Sequence, residues 1–304
     1  MTKFRDRIGA LAIVAALGMA IPAVAQVEID RRRPAPARGE VRIESDFGAI
    51  TVRGWERNEV QVRGTVAAGA ESFDLDGDKE GVSISVDVPD AWMQASAEDP
   101  AFRSTLEVMV PAGSHIDLES VNAVVAVEGV TGRVEIRTVN GPVRVAGAPA
   151  AVEIETMTGA IEVHALAAPM EIESISGTVV VEGATGEVRI KTVSGRVSVG
   201  GKGVAALEVS TTTGPVDFTG SLARSGEIDI ETFSSPVALH LPATTRAVFD
   251  LQTFGAKIDS QFCAGTPVIR KPFEPFRELR CSTGPDEFEI RVRTHDADIT
   301  VEAR

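Results

Sequence analysis

The sequence has little of the aromatic and sulfur chemistry on which many binding and catalytic sites are built. It contains no tyrosine, two tryptophans and two cysteines in 304 residues. Sugar-binding clefts often use aromatic side chains as platforms, so this shortage lowers the expectation of a carbohydrate cleft. Two cysteines without a Cys-x-x-Cys motif indicate neither a thiol redox site nor a complete metal site. We therefore expect no cofactor and no resident metal.

Basic residues are also in deficit, and the formal net charge is −14 at pH 7. An acidic surface of this kind argues against nucleic acid and anionic lipid as partners, and it favours cations or basic surfaces. After residue 21 the chain has no further long apolar run. We therefore expect no membrane span in the mature chain.

The first 25 residues have the three-part layout of a secretory signal peptide. Three basic residues precede a mostly apolar run over residues 8–21, and Ala23 and Ala25 form a small-x-small cleavage site. We predict a signal peptide at residues 1–25. The protein is then exported, and it is periplasmic, displayed on the cell surface or secreted.

Residues 26–40 combine basic side chains with prolines and few apolar neighbours. Arg31, Arg32 and Arg33 directly precede Pro34. This composition predicts an exposed, basic, Pro-rich linker between the cleavage site and the folded domain. A polybasic docking arm is the alternative.

A short pattern repeats through residues 116–260: two alternating apolar residues, a Ser or Thr, a tight turn, and two more alternating apolar residues. The small residue that closes the turn recurs at steps of 18, 18, 18, 18, 19, 21 and 21 residues, at Ala123, Gly141, Gly159, Gly177, Gly195, Gly214, Ser235 and Ala256. A fixed short period is typical of a solenoid, in which each unit packs only against its neighbours. We predict an all-β fold, a single-domain parallel β-solenoid that is β-helix-like, with coils of about 18 residues and right-handed winding.

The parity of the alternation separates interior from surface positions. The clearest coil places Val188 and Ile190 inward on its first strand and Val197 and Val199 inward on its second. Equivalent residues of neighbouring coils are expected to stack about 4.8 Å apart, the strand spacing of a sheet. A hydroxyl at the corner between the strands can bond to the turn backbone and to the next hydroxyl, so we interpret the corner hydroxyls as structural. They are Ser45, Ser120, Thr138, Thr156, Ser174, Thr192, Thr211, Thr232, Thr253 and Thr294.

The solenoid domain is predicted over residues 41–304, in four parts. These are an irregular first part at 41–115, regular coils at 116–260, a cysteine-containing insertion at 261–285 and a final coil at 286–304. In the oxidising compartment of an exported protein, Cys263 and Cys281 are expected to form a disulfide within the insertion. Open solenoid ends expose unpaired strand edges, and the insertion is placed to cover one of them.

Several segments resemble the bacterial putative-adhesin family, a domain of unknown function built of β-strand repeats. They are VRIESDFGAITVRGWERNEVQVRGTV, LEVMVPAG, TVNGPVRV, SISGTVVV and TVSGRVSV. The likeness covers most of residues 41 to 301. The resemblance implies an all-β solenoid in an exported protein, and it carries over no catalytic motif.

Outward positions of the first strands bring four carboxylates together. Stacking places Glu153 beside Glu171 and Glu155 beside Glu173. Directly opposed like charges destabilise a sheet, so a bound cation or the flanking basic side chains must relieve them. Those basic side chains are Arg137, Arg189 and Lys191. We interpret the four acids as a solvated face and the first candidate for a partner contact, with weak calcium binding as the alternative.

Acids and bases of the kind that catalysis needs do not fall at a useful spacing. Glu162 and Asp217 are predicted three coils apart, about 14 Å at the strand spacing, whereas glycosidase carboxylates lie within about 10 Å of each other. We expect a non-enzymatic, exported solenoid that offers an adhesin-like or scaffold surface to an unknown envelope protein or glycan. A periplasmic envelope-stress or sensing accessory protein is one alternative. A polysaccharide-active β-helix enzyme is the least favoured.

Overall fold

Every regular element in the described part of the chain is a β-strand. The computed structural model describes residues 26–89, 103–165, 169–263, 268–271, 274–284 and 288–304. Within these ranges 24 strands form one continuous hydrogen-bonded sheet. No helix in the described ranges could cross a membrane. The signal peptide predicted at residues 1–25 lies outside the described residues.

The sheet folds into two faces because each coil contributes a first strand, a corner and a second strand. The first face contains β2 Glu40–Ser45, β6 Gly81–Asp87, β9 Arg133–Asn140, β11 Ala151–Thr158, β13 Met170–Ser176, β15 Glu187–Ser194, β19 Val248–Phe254 and β23 Glu289–Thr294. The second face contains β3 Phe47–Trp55, β7 Ser104–Pro111, β10 Val143–Gly147, β12 Ile161–Ala165, β14 Val179–Ala184, β18 Val237–Leu241, β20 Ile258–Ser260 and β24 Ile299–Ala303. Three long strands continue from one face to the other, β8 His115–Glu128, β16 Val197–Thr211 and β17 Val216–Thr232.

The coils stack in parallel with their equivalent residues in register. Val143 of β10 lies opposite Val125 on one side and Ile161 on the other, so the sequence advances 18 residues per coil there. The parallel β-solenoid predicted from the period is therefore present through the regular coils. The right-handed winding stays a prediction.

The core is a set of apolar columns between the two faces. All inward positions predicted for the regular coils are buried, among them Val188, Ile190, Val197 and Val199. Burying a Val or Ile side chain fully contributes about 1.5–3 kcal/mol. Because the columns repeat in every coil, this contribution accumulates along the whole axis.

Glycine closes the regular turns because neighbouring coils approach too closely for a side chain. Gly195 has a φ of +128°, and a Cβ there would lie 2.0 Å from the carbonyl oxygen of Gly177 in the preceding coil. The left-handed backbone and the lack of space each exclude other residues.

The order of the coils in space differs from their order in the chain at the C-terminal end. β23 lies between β17 and β19, and β24 lies between β18 and β20. The coil predicted at 286–304 is present, but the prediction that it ends the solenoid is wrong. Phe249 and Leu251 therefore stack on the last coil of the sequence and not on Ile230.

The N-terminal end has the same arrangement. β2 lies between β6 and β8, and β3 lies between β7 and β8. The coil that comes first in the sequence is therefore the second coil in space. The irregular part predicted at 41–115 contains this inserted coil and the strands that cover it.

Antiparallel strands cap both ends. At the N-terminal end β1 Val27–Pro34 pairs with β4 Glu59–Val66, β4 pairs with β7, and β5 Ser72–Gly77 pairs with β6. The prediction of a linker at 26–40 is wrong over β1. The backbone of β1 pairs along β4, although the side chains of β1 are mostly exposed. The solenoid is therefore parallel in its coils and antiparallel at its caps.

The insertion predicted at 261–285 supplies the C-terminal cap. Its strand β22 Glu274–Ser282 pairs antiparallel with β19, and β21 Val268–Lys271 pairs with β22. Cys263 and Cys281 are joined by a disulfide, which confirms the predicted pairing. The bond ties the chain after β20 to the strand that covers the first face.

We predict that inward and outward positions of one coil differ sharply in their tolerance of truncation. Ile154→Ala should lower the free energy of unfolding by about 2–5 kcal/mol, because it leaves a cavity in a fully buried column. The outward Glu171→Ala should change it by less than about 0.5 kcal/mol. Denaturant unfolding of the two variants checks this, and equal effects would contradict the assignment of the faces.

The disulfide should protect both thiols of the exported protein. Alkylation before reduction is expected to modify neither Cys263 nor Cys281, as measured by mass spectrometry of the intact chain. Reduction should lower the free energy of unfolding by about 3 kcal/mol, because the bond closes a loop with a sequence separation of 18. Free thiols in the exported protein would sink this prediction.

Asp46 should make stability depend on pH. Burial, with Asp87 and Glu44 nearby, raises the pKa of this carboxyl above its ordinary value of 3.8. The folded state therefore disfavours the carboxylate, and stability is lost as pH rises from 3.8 through the raised pKa. Asp46→Asn should raise the Tm at pH 7 and leave it unchanged at pH 3. The exposed Glu56→Gln serves as control, and a gain of equal size at both pH values would contradict the prediction.

Candidate functional site

The four carboxylates predicted to lie together do so in the structure. Glu153 pairs with Glu171 and Glu155 pairs with Glu173 across β11 and β13. Because the two strands are parallel and in register, each carboxylate has a like charge as its direct neighbour on the outward side of the first face.

Basic side chains on the same face offset this repulsion. Lys191 contacts Glu173 at 2.7 Å and Glu171 at 3.4 Å, and these hydrogen bonds raise the pKa of its ammonium group. Arg133, which the sequence did not single out, pairs with Glu153. Arg137 lies 4.0 Å from Glu155.

The third predicted basic partner, Arg189, forms its hydrogen bond with a different acid. It donates to Glu208 at 2.8 Å in the following coil. Among the described residues no group of three or more His, Cys, Asp or Glu side chains is arranged to hold a metal ion. The acids of this face are therefore members of an ion-pair network with the neighbouring coils.

The corner hydroxyls form a buried column, as predicted. All ten of them are buried. Thr192 donates to the carbonyl of Ser194 at 3.2 Å, which is a bond to the turn of the same coil. Ser120 donates to Thr138 at 2.9 Å, which is a bond to the next coil. The hydroxyl of Ser174 has no hydrogen-bond partner within the described structure.

An exposed apolar row runs directly beside the hydroxyl column. It consists of the residues that follow the nine corner hydroxyls from Ser120 onward, of which all but Thr212 and His295 are apolar, and most of its large side chains are about half exposed. In spatial order the row is Val121, Val139, Met157, Ile175, Val193, Thr212, Phe233, His295 and Phe254. Exposed apolar side chains scattered singly need no explanation, whereas a line of neighbouring ones is a candidate interaction surface.

The C-terminal end of the row is aromatic. The ring of His295 stacks between Phe233, at a centroid distance of 4.7 Å, and Phe254, at 5.3 Å. This stack exists because β23 lies between β17 and β19. The exchange of coil order therefore places His295 where the chain order would place Phe254.

The apolar row is one wall of an open groove of about 920 Å³, which we call the corner groove. Its floor is the hydroxyl column from Ser120 to Thr232, and its opposite wall is the charged row that includes Glu155, Glu173 and Lys191. From Glu119 to Glu231 the groove crosses six strand spacings, about 29 Å. Its shape suits an extended occupant with an apolar side and a charged side.

The predicted acidic face is divided by this groove. Glu155 and Glu173 line it, whereas Glu153 and Glu171 line a separate depression of about 190 Å³ on the same face. The row of Glu155 and Glu173 is therefore the part of the acidic face that could touch an occupant of the groove.

The two acids considered for catalysis are not brought together. Glu162 lies on β12 and Asp217 on β17, with β14 and β16 between them. Glu162 accepts from Arg144 at 3.0 Å, and Asp217 accepts from Arg196 at 2.5 Å. Each is an outward residue of the second face with its own basic partner.

The apolar wall was missed in the sequence because a residue next to a tight turn was assigned to the turn. The signal that would have found it is the recurrence of an apolar residue after the hydroxyl, as in Thr156-Met157 and Ser174-Ile175. A loop residue at a polar corner has no reason to be apolar in coil after coil. The period that predicts the core therefore also predicts the wall.

The fold is a β-solenoid with an open groove along one corner of its coils. The chain belongs to the family described as Toastrack DUF4097, whose model matches residues 40–302. This confirms the resemblance to the bacterial putative-adhesin family. No curated protein matches the chain significantly.

Solved structures of low identity are also similar to the chain. A putative adhesin from Bacteroides fragilis is 10% identical, with 92% of this chain and 99% of that chain covered and a TM-score of 0.39. A putative cell adhesion protein from Clostridium sporogenes is 7% identical, with 91% and 100% covered and a TM-score of 0.28. A putative lipid binding protein from Parabacteroides distasonis is 8% identical, with 90% and 96% covered and a TM-score of 0.31. The family assignment rests on the family model alone.

Proposed function

We propose that this protein is an exported, non-enzymatic binding protein that presents the corner groove as an adhesin-like or scaffold surface at the cell envelope. The observation that supports this best is the contiguous apolar wall, of which Met157, Ile175 and Val193 are about half exposed. Exposure of such side chains to water is unfavourable, and their burial against a partner lowers the free energy. The sheet holds them in line for this contact.

The two walls of the groove would make different kinds of contact with a partner. The apolar wall supplies contact area, and the charged wall of Glu155, Glu173 and Lys191 favours partners whose charges complement it. Many small, repeated contacts along a rigid line suit an extended surface or segment better than a small metabolite.

Export supports an envelope location for this binding. The predicted signal peptide and the disulfide of Cys263 and Cys281 both suit an oxidising compartment. The proposed role is non-enzymatic because the groove's acids are committed to ion pairs with neighbouring coils, and the other candidate acids lie apart on the second face.

A binding array tests this proposal. Immobilised envelope glycans, envelope proteins and the protein itself are probed with the labelled exported protein, with and without calcium, since Glu155 and Glu173 line the groove. We expect at least one component to bind. Val193→Glu should weaken that binding at least about tenfold, because it places a charge on the apolar wall at the contact.

The matched control is Val124→Glu on the second face. Val124 is 52% exposed and Val193 is 50% exposed, so the two changes differ mainly in their relation to the groove. Equal loss of binding in both variants, or no binding to any component, would overturn the proposal. Release of shortened glycan from an array spot would favour the enzyme alternative.

A further inference from the structure

We infer that the corner groove docks against a second copy of this chain, with the two solenoids antiparallel about a twofold axis that passes between β13 and β15. The inference rests on the proposed function in taking the corner groove as the contact surface. It goes further by naming the partner, and it is carried by the order of charges along the groove.

The charged wall has a fixed order of signs in space. On one side of the proposed axis the outward residues are Glu119, Arg137, Glu155 and Glu173. On the other side they are Lys191, Ser210, Glu231 and Arg293. Arg293 follows Glu231 only because β23 lies beside β17, so chain order alone would place the uncharged Gln252 there.

Reversal of this order gives its complement. In an antiparallel pair of copies Glu119 meets Arg293 of the other copy, and Arg137 meets Glu231. Closer to the axis Glu173 meets Lys191, and in the remaining pair Glu155 meets the uncharged Ser210. Within this row no like charges oppose each other, and the twofold axis makes every pair occur twice.

Other registers break this match. A shift of the axis onto β13 opposes Glu119 to Glu231, and a shift onto β15 opposes Arg137 to Arg293. The next outward row on the first face is also not self-complementary, because the same axis opposes Glu135 to Asp229 and Glu153 to Glu208. Complementarity is therefore confined to the row that lines the groove, and it selects one register.

The apolar wall matches itself about the same axis. Ile175 meets Val193 at the centre, the long Met157 meets the small Thr212, and Val139 meets the large Phe233. Large side chains thus oppose smaller ones, which allows them to interdigitate. Burial of this wall supplies affinity, whereas the charges fix direction and register.

The contact has the size of a specific interface. The charged row, the apolar row and the adjoining row of short polar side chains contribute about 24 residues a side over the coils from Glu119 to Arg293, within the range of about 20–30 residues for a stable pair. The polar row begins with Asn122 and Asn140 and includes Ser176 and Ser194 near the axis, so its members can hydrogen-bond across the pair.

Cross-linking tests the direction of the pair. The native cysteines are joined to each other, so Val139→Cys and Phe233→Cys introduce single free thiols. A mixture of the two variants should form a disulfide-linked dimer under mild oxidation, whereas each variant alone should not, because its own thiols are about 24 Å apart in the antiparallel pair. Cross-linking of Val139→Cys with itself would overturn the arrangement, and so would no cross-linking in the mixture.

Charge reversal tests the register. Glu119 and Arg293 are about 34 Å apart within one chain at the strand spacing, yet they meet across the proposed pair. Glu119→Lys or Arg293→Glu should each raise the dimer Kd by about tenfold, and the double variant should return it to within about threefold of the unmodified protein. Sedimentation equilibrium at low salt measures this, with circular dichroism as the folding control.

The double variant separates contacts between copies from contacts within one copy. Glu119 pairs with Arg137 at 3.5 Å and Arg293 with Glu231 at 2.5 Å inside the chain, and the double variant breaks both pairs. Recovery therefore requires the other copy, and no recovery overturns the inference. A protein that stays monomeric but binds an array component through Val193 would sink the self-docking inference and leave the proposed function standing.

Discussion

Parallel, in-register stacking of the coils sets the position of every line of side chains along this solenoid. Each first strand of the regular coils hydrogen-bonds to both neighbours with equivalent residues opposite each other, as Ile154 does with Ile136 and Ile172. A single position in the repeat thereby becomes a line of side chains along the axis. The core, the hydroxyl floor, the apolar wall and the charged wall are four such lines, set by four positions of one short repeat.

The parts that sequence alone predicted are those that depend on period and parity within one coil. Ile190 and Val197 are buried because alternation points them inward, and Thr192 is buried because it ends the same inward series at the corner. The disulfide was also predictable, since two cysteines in an exported chain have one partner each. The carboxylate neighbours Glu153 and Glu171 followed from the 18-residue step.

The parts that sequence alone did not predict depend on which backbone lies beside which. β19 and β23 have the same alternation of apolar residues, and backbone hydrogen bonds do not depend on the identity of the side chains. The sequence pattern therefore could not show that β23 lies between β17 and β19. β1 has no alternation to recognise, because its pairing with β4 leaves its side chains mostly exposed. The order of charges along the groove could not be predicted for the same reason, since Arg293 lies beside Glu231 only because β23 is next to β17.

The exchanged coil order also decides how this solenoid can come apart. In a solenoid whose last coil in sequence is its last in space, the chain end can fray one coil at a time. Here β23 and β24 are held by a neighbour on each side, and the disulfide-tied cap covers the coil beyond them. Pulling on β24 meets a coil that is held between two others, so the force loads several coils at once. The exchanged order therefore makes the C-terminal coil resist peeling without any additional core.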